Sequence, residues 1–136
     1  MTTMQVYLAI KYHPDHRNRP LIEAISAALV ACGFETVCIA RDVEEWGAVH
    51  LAPEALMRAS FAALAASDLL VVELSEKGVG IGIEAGYAHA KGIPIVTIAQ
   101  RGADISTTLR GISQRVQWYD PDDVAALVDL FAGVMG

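Results

Sequence analysis

The chain has 136 residues, the size of one domain, and is 54% hydrophobic and 19% charged, a richness that suits a sheet buried on both faces or an interface between subunits. Its net charge of −6 argues against binding a nucleic-acid polymer, which rests on lysines and arginines neutralising phosphates, yet leaves room for one phosphate in a local pocket. Cys32 and Cys38 lie in apolar runs and read as reduced thiols; no metal-ligand spacing occurs, and no apolar run is long enough to span a membrane.

The predicted elements alternate along the chain. Met4–Ile10 is apolar and β-prone, a first strand. Asn18–Cys32 carries Leu21, Ile22, Ile25, Ala28, Leu29 and Cys32 at helical spacing, and Gly33 suits the helix end. Glu35–Ala40 reads as a second strand and Arg41–Leu51 as a loop. Pro53 opens a helix running to about Ala66. Leu69–Leu74 is a continuous apolar run, as in a strand covered on both faces. Gly80–Lys91 is a helix stopped by Gly92, and Ile93–Ala99 a fourth strand. Gln100–Gln114 reads as a long polar loop with room for one helical turn. Arg115–Tyr119 is a fifth strand, and Asp120 or Asp122 caps a last helix from about Pro121 to Val134.

This order predicts one α/β domain over residues 1–136. The expected architecture is a Rossmann/flavodoxin-like three-layer sandwich, with helices on both faces of a five-stranded parallel sheet of order 2-1-3-4-5. Ligands of such sheets bind outside the carboxyl ends of the strands. The segments that reach that rim are Lys11–Arg19, Arg41–His50, Ser75–Glu84 and Gln100–Gln114, each polar or glycine-rich. The start MTTMQVYLAI lacks the basic residues and long apolar run of a signal peptide, so a cytoplasmic location is expected.

The chemistry concentrates where a strand ends, Gly78, Gly80 and Gly82 follow, and a helix opens with Glu84 in its first turns. Glycines allow a ligand close to the backbone. A carboxylate near a helix N-terminus is expected to stay ionised, fit to attack an anomeric carbon and form an ester. Two other readings of the same residues stand beside this one. In one, Glu84 serves only the helix dipole; in the other, Gly80-x-Gly82-x-x-Ala85 is a dinucleotide fingerprint, with Arg101 beyond the next strand suited to a 2′-phosphate.

Asp68, the turn, Glu84-Ala-Gly-Tyr-Ala and Lys91-Gly-Ile-Pro94 together resemble the signature of the nucleoside 2-deoxyribosyltransferase-like superfamily, and the resemblance runs from Val6-Tyr7 to about Tyr119. It implies Glu84 as nucleophile and Tyr7 as a catalytic hydroxyl near the reacting sugar. Ile105–Gly111 is similar to a loop of the 2′-deoxynucleoside 5′-monophosphate N-glycosidases, which implies that Ser106 binds a 5′-phosphate across a dimer interface. Thr107, Thr108 and Arg110 are apt additional phosphate donors. Glu45-Trp46-Gly47-Ala48 looks like a segment of cytidine monophosphate hydrolases, with Trp46 either stacking on a base or packing in the protein.

Two departures from the family pattern stand out. Ser60 occupies the place of a usual aspartate, eight residues before Asp68, and offers no carboxylate. Asp42, Glu44 and Glu45 are candidates to substitute for it. Gly78 stands where the monophosphate hydrolases carry a phosphate-binding serine, which shifts phosphate binding toward Lys11, His13, His16, Arg17 and Arg19 of the first loop. The expectation is a homo-oligomeric nucleoside 5′-monophosphate N-glycosidase that needs no cofactor or metal. Its substrate-binding residues would be Lys11, Trp46, Ser60, Gly78, Gly80, Gly82, Ser106 and Arg110. Base exchange between deoxynucleosides and non-catalytic nucleotide binding are the alternatives.

Overall fold

The computed structural model describes residues 3–134. Five strands, β1 (Gln5–Ile10), β2 (Glu35–Val37), β3 (Leu69–Glu73), β4 (Ile95–Gln100) and β5 (Arg115–Tyr119), form one parallel sheet of order 2-1-3-4-5. The helices are α1 (Arg19–Ala31), α2 (Ile39–Asp42), α3 (Pro53–Ala65), α4 (Val79–Ala90), α5 (Thr107–Ile112) and α6 (Leu127–Val134). Single 3-10 turns cover Glu45–Gly47 and Val124–Ala126.

Alternation along β1 decides what meets what. Val6 and Leu8 face α1 and α6 in one core, together with Ile22, Ile25, Leu29 and Phe131. Tyr7 and Ala9 point to the opposite face, into a second core with Leu64 of α3 and Ile81, Ala85 and Ala88 of α4. β3 sits at the centre with every residue buried, as its unbroken apolar sequence requires.

The structure differs from the sequence reading in five places. The second strand stops at Val37 rather than Ala40. The Asp42 carboxylate accepts from the Cys38 N–H at 2.9 Å and closes the turn α2, so the segment expected as a loop holds the end of α2 and one 3-10 turn. The fourth strand begins at Ile95 rather than Ile93, because Gly92 ends α4 at φ +74° and Pro94 precedes the ladder. The expected single turn after β4 is the six-residue α5. The last α-helix starts only at Leu127, after the 3-10 turn, with Asp123 at the turn's head and no side-chain cap from Asp120 or Asp122.

Candidate active site

Because β1 alternates, Tyr7 is directed at α4, and there its fully buried hydroxyl donates a short hydrogen bond to the Glu84 carboxylate. The pair lies at the floor of a cleft of about 210 Å³ at the carboxyl rim of β1. Ile39 and Ala40 of α2 form one wall, Leu56, Met57 and Ser60 of α3 another, and Gly80 opens the α4 side. A Cβ at Gly80 would meet nothing within 4 Å, so this glycine leaves space beside the carboxylate. Gly78, Gly80 and Gly82 are not among the positive-φ glycines, so backbone conformation does not require glycine at these positions.

Glu84 is the sixth residue of α4, in its second turn, beyond the stretch where the helix dipole acts strongly. Burial therefore dominates and pushes its pKa up to about 7, while the Tyr7 hydrogen bond pulls the other way. This corrects the expectation of a carboxylate held fully ionised by the helix end. Burial, and then the nearby Glu84 charge, push the Tyr7 phenol far above its ordinary value, so it stays a neutral donor. A carboxylate poised near neutrality is equipped both to attack as an anion and to exchange a proton.

Ser60 is buried, donates to the Leu56 carbonyl at 2.9 Å and stands close enough to act on the Tyr7 hydroxyl. Of the three acids after β2, Asp42 is taken by Arg41 at 2.8 Å and by the Cys38 N–H, Glu45 is exposed, and Glu44 lines the cleft. Tyr12 and Cys38, not singled out as site residues in the sequence, also line it. Burial raises the Cys38 thiol's pKa and keeps it protonated.

The other sequence candidates fall outside this lining. Trp46 lies one layer away, against Tyr12 at 5.8 Å between ring centroids, with the Arg19 guanidinium 4.4 Å over its ring. Lys11 borders a separate hollow of about 60 Å³ with Asn18, Ser75 and Glu73. In the first loop, His13 pairs with Glu76 at 2.8 Å, Arg17 with Asp15 at 3.0 Å and Arg19 with Glu23 at 3.0 Å. Gly78 precedes α4 and Gly82 lies on its exposed side. Ser106 precedes α5, and Arg110 donates to the Ile105 carbonyl at 3.1 Å while lying 5.2 Å over the Trp118 ring.

Gly80 and Gly82 are inside α4 rather than in the turn before it. A dinucleotide fingerprint places its first glycines in the turn itself, so the pattern is a coincidence of helix composition. Arg101 stands 3.5 Å from Asp120 at the far edge. Asp68, part of the recognised signature, accepts from the Gln5 N–H at 2.9 Å and fastens the start of β1. Glu73 is a buried acid the sequence reading passed over; its oxygens accept from the Ser75 N–H at 2.6 Å, the Ser75 hydroxyl at 2.7 Å and the Tyr119 hydroxyl. An acid closing an otherwise apolar strand was the available signal. Among the described residues no group of three or more His, Cys, Asp or Glu is placed to hold a metal ion, and no helix is long and apolar enough to cross a membrane.

No family model matches the chain. A protein of Thermofilum pendens named as a candidate 2′-deoxynucleoside 5′-phosphate N-hydrolase is 27% identical over 136 residues, with 93% of each chain covered. Among solved structures, the CMP N-glycosidase BcmB of Clostridium botulinum is similar with a TM-score of 0.69 and 20% identity, over 93% of this chain and 98% of that one. A 2-deoxyribosyltransferase of Bacillus psychrosaccharolyticus is similar with a TM-score of 0.68 and 14% identity, over 89% of this chain and 90% of its own.

Proposed function

We propose, from the premise that this chain belongs to the nucleoside 2-deoxyribosyltransferase-like superfamily, that it hydrolyses the base–sugar bond of a nucleoside 5′-monophosphate. It is an enzyme of nucleoside or nucleotide glycosyl transfer or hydrolysis, as its relatives' names agree. The observation that carries the finer reading is the Tyr7–Glu84 pair at the floor of a largely apolar cleft.

In this reading a Glu84 oxygen bonds to C1′ as the C1′–N bond breaks, and the bonding pair leaves on the base nitrogen. Water then attacks C1′, the ester bond to Glu84 breaks, and the water's proton passes to Glu84 or solvent. Tyr7 orients the carboxylate and donates to it while it carries charge. The 5′-phosphate is met by Ser106, by Lys11, the cation of the first loop without an ion pair among the described residues, and by the open backbone from Gly78 to Gly82, with Arg110 turning from Trp118.

The protein acts as a homo-oligomer. Val79 and Ile83 of α4 are 82% and 46% exposed beside the cleft, an apolar face that a second copy covers. Light scattering of the purified protein is expected to give at least a dimer; a monomer at micromolar concentration would refute it.

Incubation with a panel of nucleoside monophosphates is expected to release free base and sugar phosphate. Glu84→Ala is expected to lose on the order of 10³-fold or more in rate. Full activity in that variant rejects the mechanism. A new nucleoside formed when an acceptor base is supplied, without free sugar, identifies base exchange instead. Binding without turnover identifies a nucleotide-binding module, the outcome in keeping with a serine at position 60.

A further inference from the structure

The polar groups around the cleft are nearly all committed within the protein. Tyr7 donates to Glu84, and Ser60 to the Leu56 carbonyl at 2.9 Å. The Tyr12 hydroxyl donates to the Trp46 carbonyl at 3.0 Å and stands 2.7 Å from His16 Nδ1. Ile39, Ala40, Leu56 and Met57 are apolar. Glu44 is the exception: it lines the cleft, and among the described residues its carboxylate has no hydrogen-bond or ion-pair partner.

The backbone of Glu44 is nevertheless fixed. Its N–H donates to the Ile39 carbonyl at 2.9 Å, and its own carbonyl accepts from Gly47 at 2.9 Å and Val49 at 3.0 Å. Glu44 and Glu84 line the same cleft of about 210 Å³, and Glu44 is not among the groups that shift Glu84's ionisation. An ionised carboxylate accepts hydrogen bonds and donates none. Apolar walls together with an unpartnered carboxylate besides the nucleophile fit a heterocycle that presents a donor to it.

We infer that Glu44 reads the base, accepting a hydrogen bond from an exocyclic amino group, so that the cleft takes cytosine or adenine nucleotides in preference to their keto counterparts, uracil and hypoxanthine. The inference rests on the proposed identity of the cleft as a nucleotide site. Replacing the amino group by a carbonyl sets acceptor against acceptor and leaves Glu44 desolvated without a partner, a change that polar recognition sites reject strongly.

The test uses Glu84→Gln protein, which stops turnover, and calorimetry with deoxycytidine against deoxyuridine monophosphate and deoxyadenosine against deoxyinosine monophosphate. The amino member of each pair is expected to bind at least about tenfold tighter. Adding Glu44→Gln is expected to bring each ratio close to one, because a carboxamide both donates and accepts. Equal binding within both pairs by the Glu84→Gln protein, or selectivity that survives Glu44→Gln, overturns the inference and leaves Glu44 a solvated loop charge. Selective binding with no turnover by the unmodified protein upholds the inference and rejects the glycosidase reading. Hydrolysis of both members with unselective binding does the reverse. Failure to bind any of the four rejects both.

Discussion

The Tyr7 hydroxyl donates to Glu84 in the sense that keeps the carboxylate charged, against burial that favours the proton. In the proposed mechanism attack on C1′ needs the anion, so with a pKa of about 7 the pH–rate profile is expected to rise through neutrality and to flatten above it. Tyr7→Phe removes the donor and leaves burial unopposed. Its rising limb is expected to move to higher pH, with kcat/KM at neutral pH down about tenfold or more; an unmoved limb contradicts Tyr7's role. The raised pKa also has a stability side. Burial favours the protonated form of folded Glu84, so the stability this one group contributes is full below its ordinary value of 4.5 and is lost as pH rises through about 7. Glu84→Gln never charges. It is therefore expected to exceed the parent in unfolding free energy by roughly 2–3 kcal/mol at about pH 8 and to match it near pH 4, as chemical denaturation at both pH values would register. The sequence made Glu84 and Tyr7 visible through helix position, strand pattern and resemblance. It hid the protonation state, because that depends on how deeply Ile39, Leu56 and Met57 enclose the carboxylate, a property of packing between distant segments.

At the level of elements, α2 is the piece that sequence periodicity missed, and for a physical reason. Four residues are too few to show a period; the turn exists because Asp42 bonds back to the Cys38 N–H while holding Arg41. Burial opposes charge on Asp42, but the hydrogen bonds from Arg41 and the Cys38 N–H outweigh it and hold its pKa below the usual carboxylate range. Arg41 in turn donates to the Thr36 carbonyl and to the Ser26 hydroxyl, each at 3.0 Å, tying the end of β2 to α1. Asp42→Ala is expected to cost about 1–2 kcal/mol in thermal or denaturant unfolding, and to weaken nucleotide binding as well, because α2 forms a wall of the cleft. A variant that unfolds earlier but binds undiminished separates α2 from the site. The longer elements were legible because each repeats a pattern: α1 buries Ile22, Ile25 and Leu29 on one side, and β3 is apolar throughout. Opposite the cleft, Glu73 does for the turn after β3 what Asp42 does for the turn after β2, holding Ser75, whose hydroxyl accepts from the Gln100 N–H at 2.8 Å.

Across the whole molecule, the strand order 2-1-3-4-5 was legible because alternating strands and helices leave few ways to wind a parallel sheet. The rim location of the cleft followed from that topology, and it is why Glu44, in a segment with no motif of its own, comes to stand in the same cavity as Glu84. Which rim residues share that cavity was not legible. Lys11, Trp46, Ser106 and Arg110 also follow strands, but Lys11 borders a separate hollow, Ser106 precedes α5, and Trp46 and Arg110 pack on Tyr12 and Trp118. The outermost strands carry a further implication. β2 is three residues long, and β5 shows Arg115 and Gln117 to water. Neither margin offers a long apolar ribbon onto which another molecule's backbone could zip. The sheet of this greasy chain thus leaves its unpaired edge amides on one stub and one border carrying Arg115, which disfavours fibrous growth through strand addition.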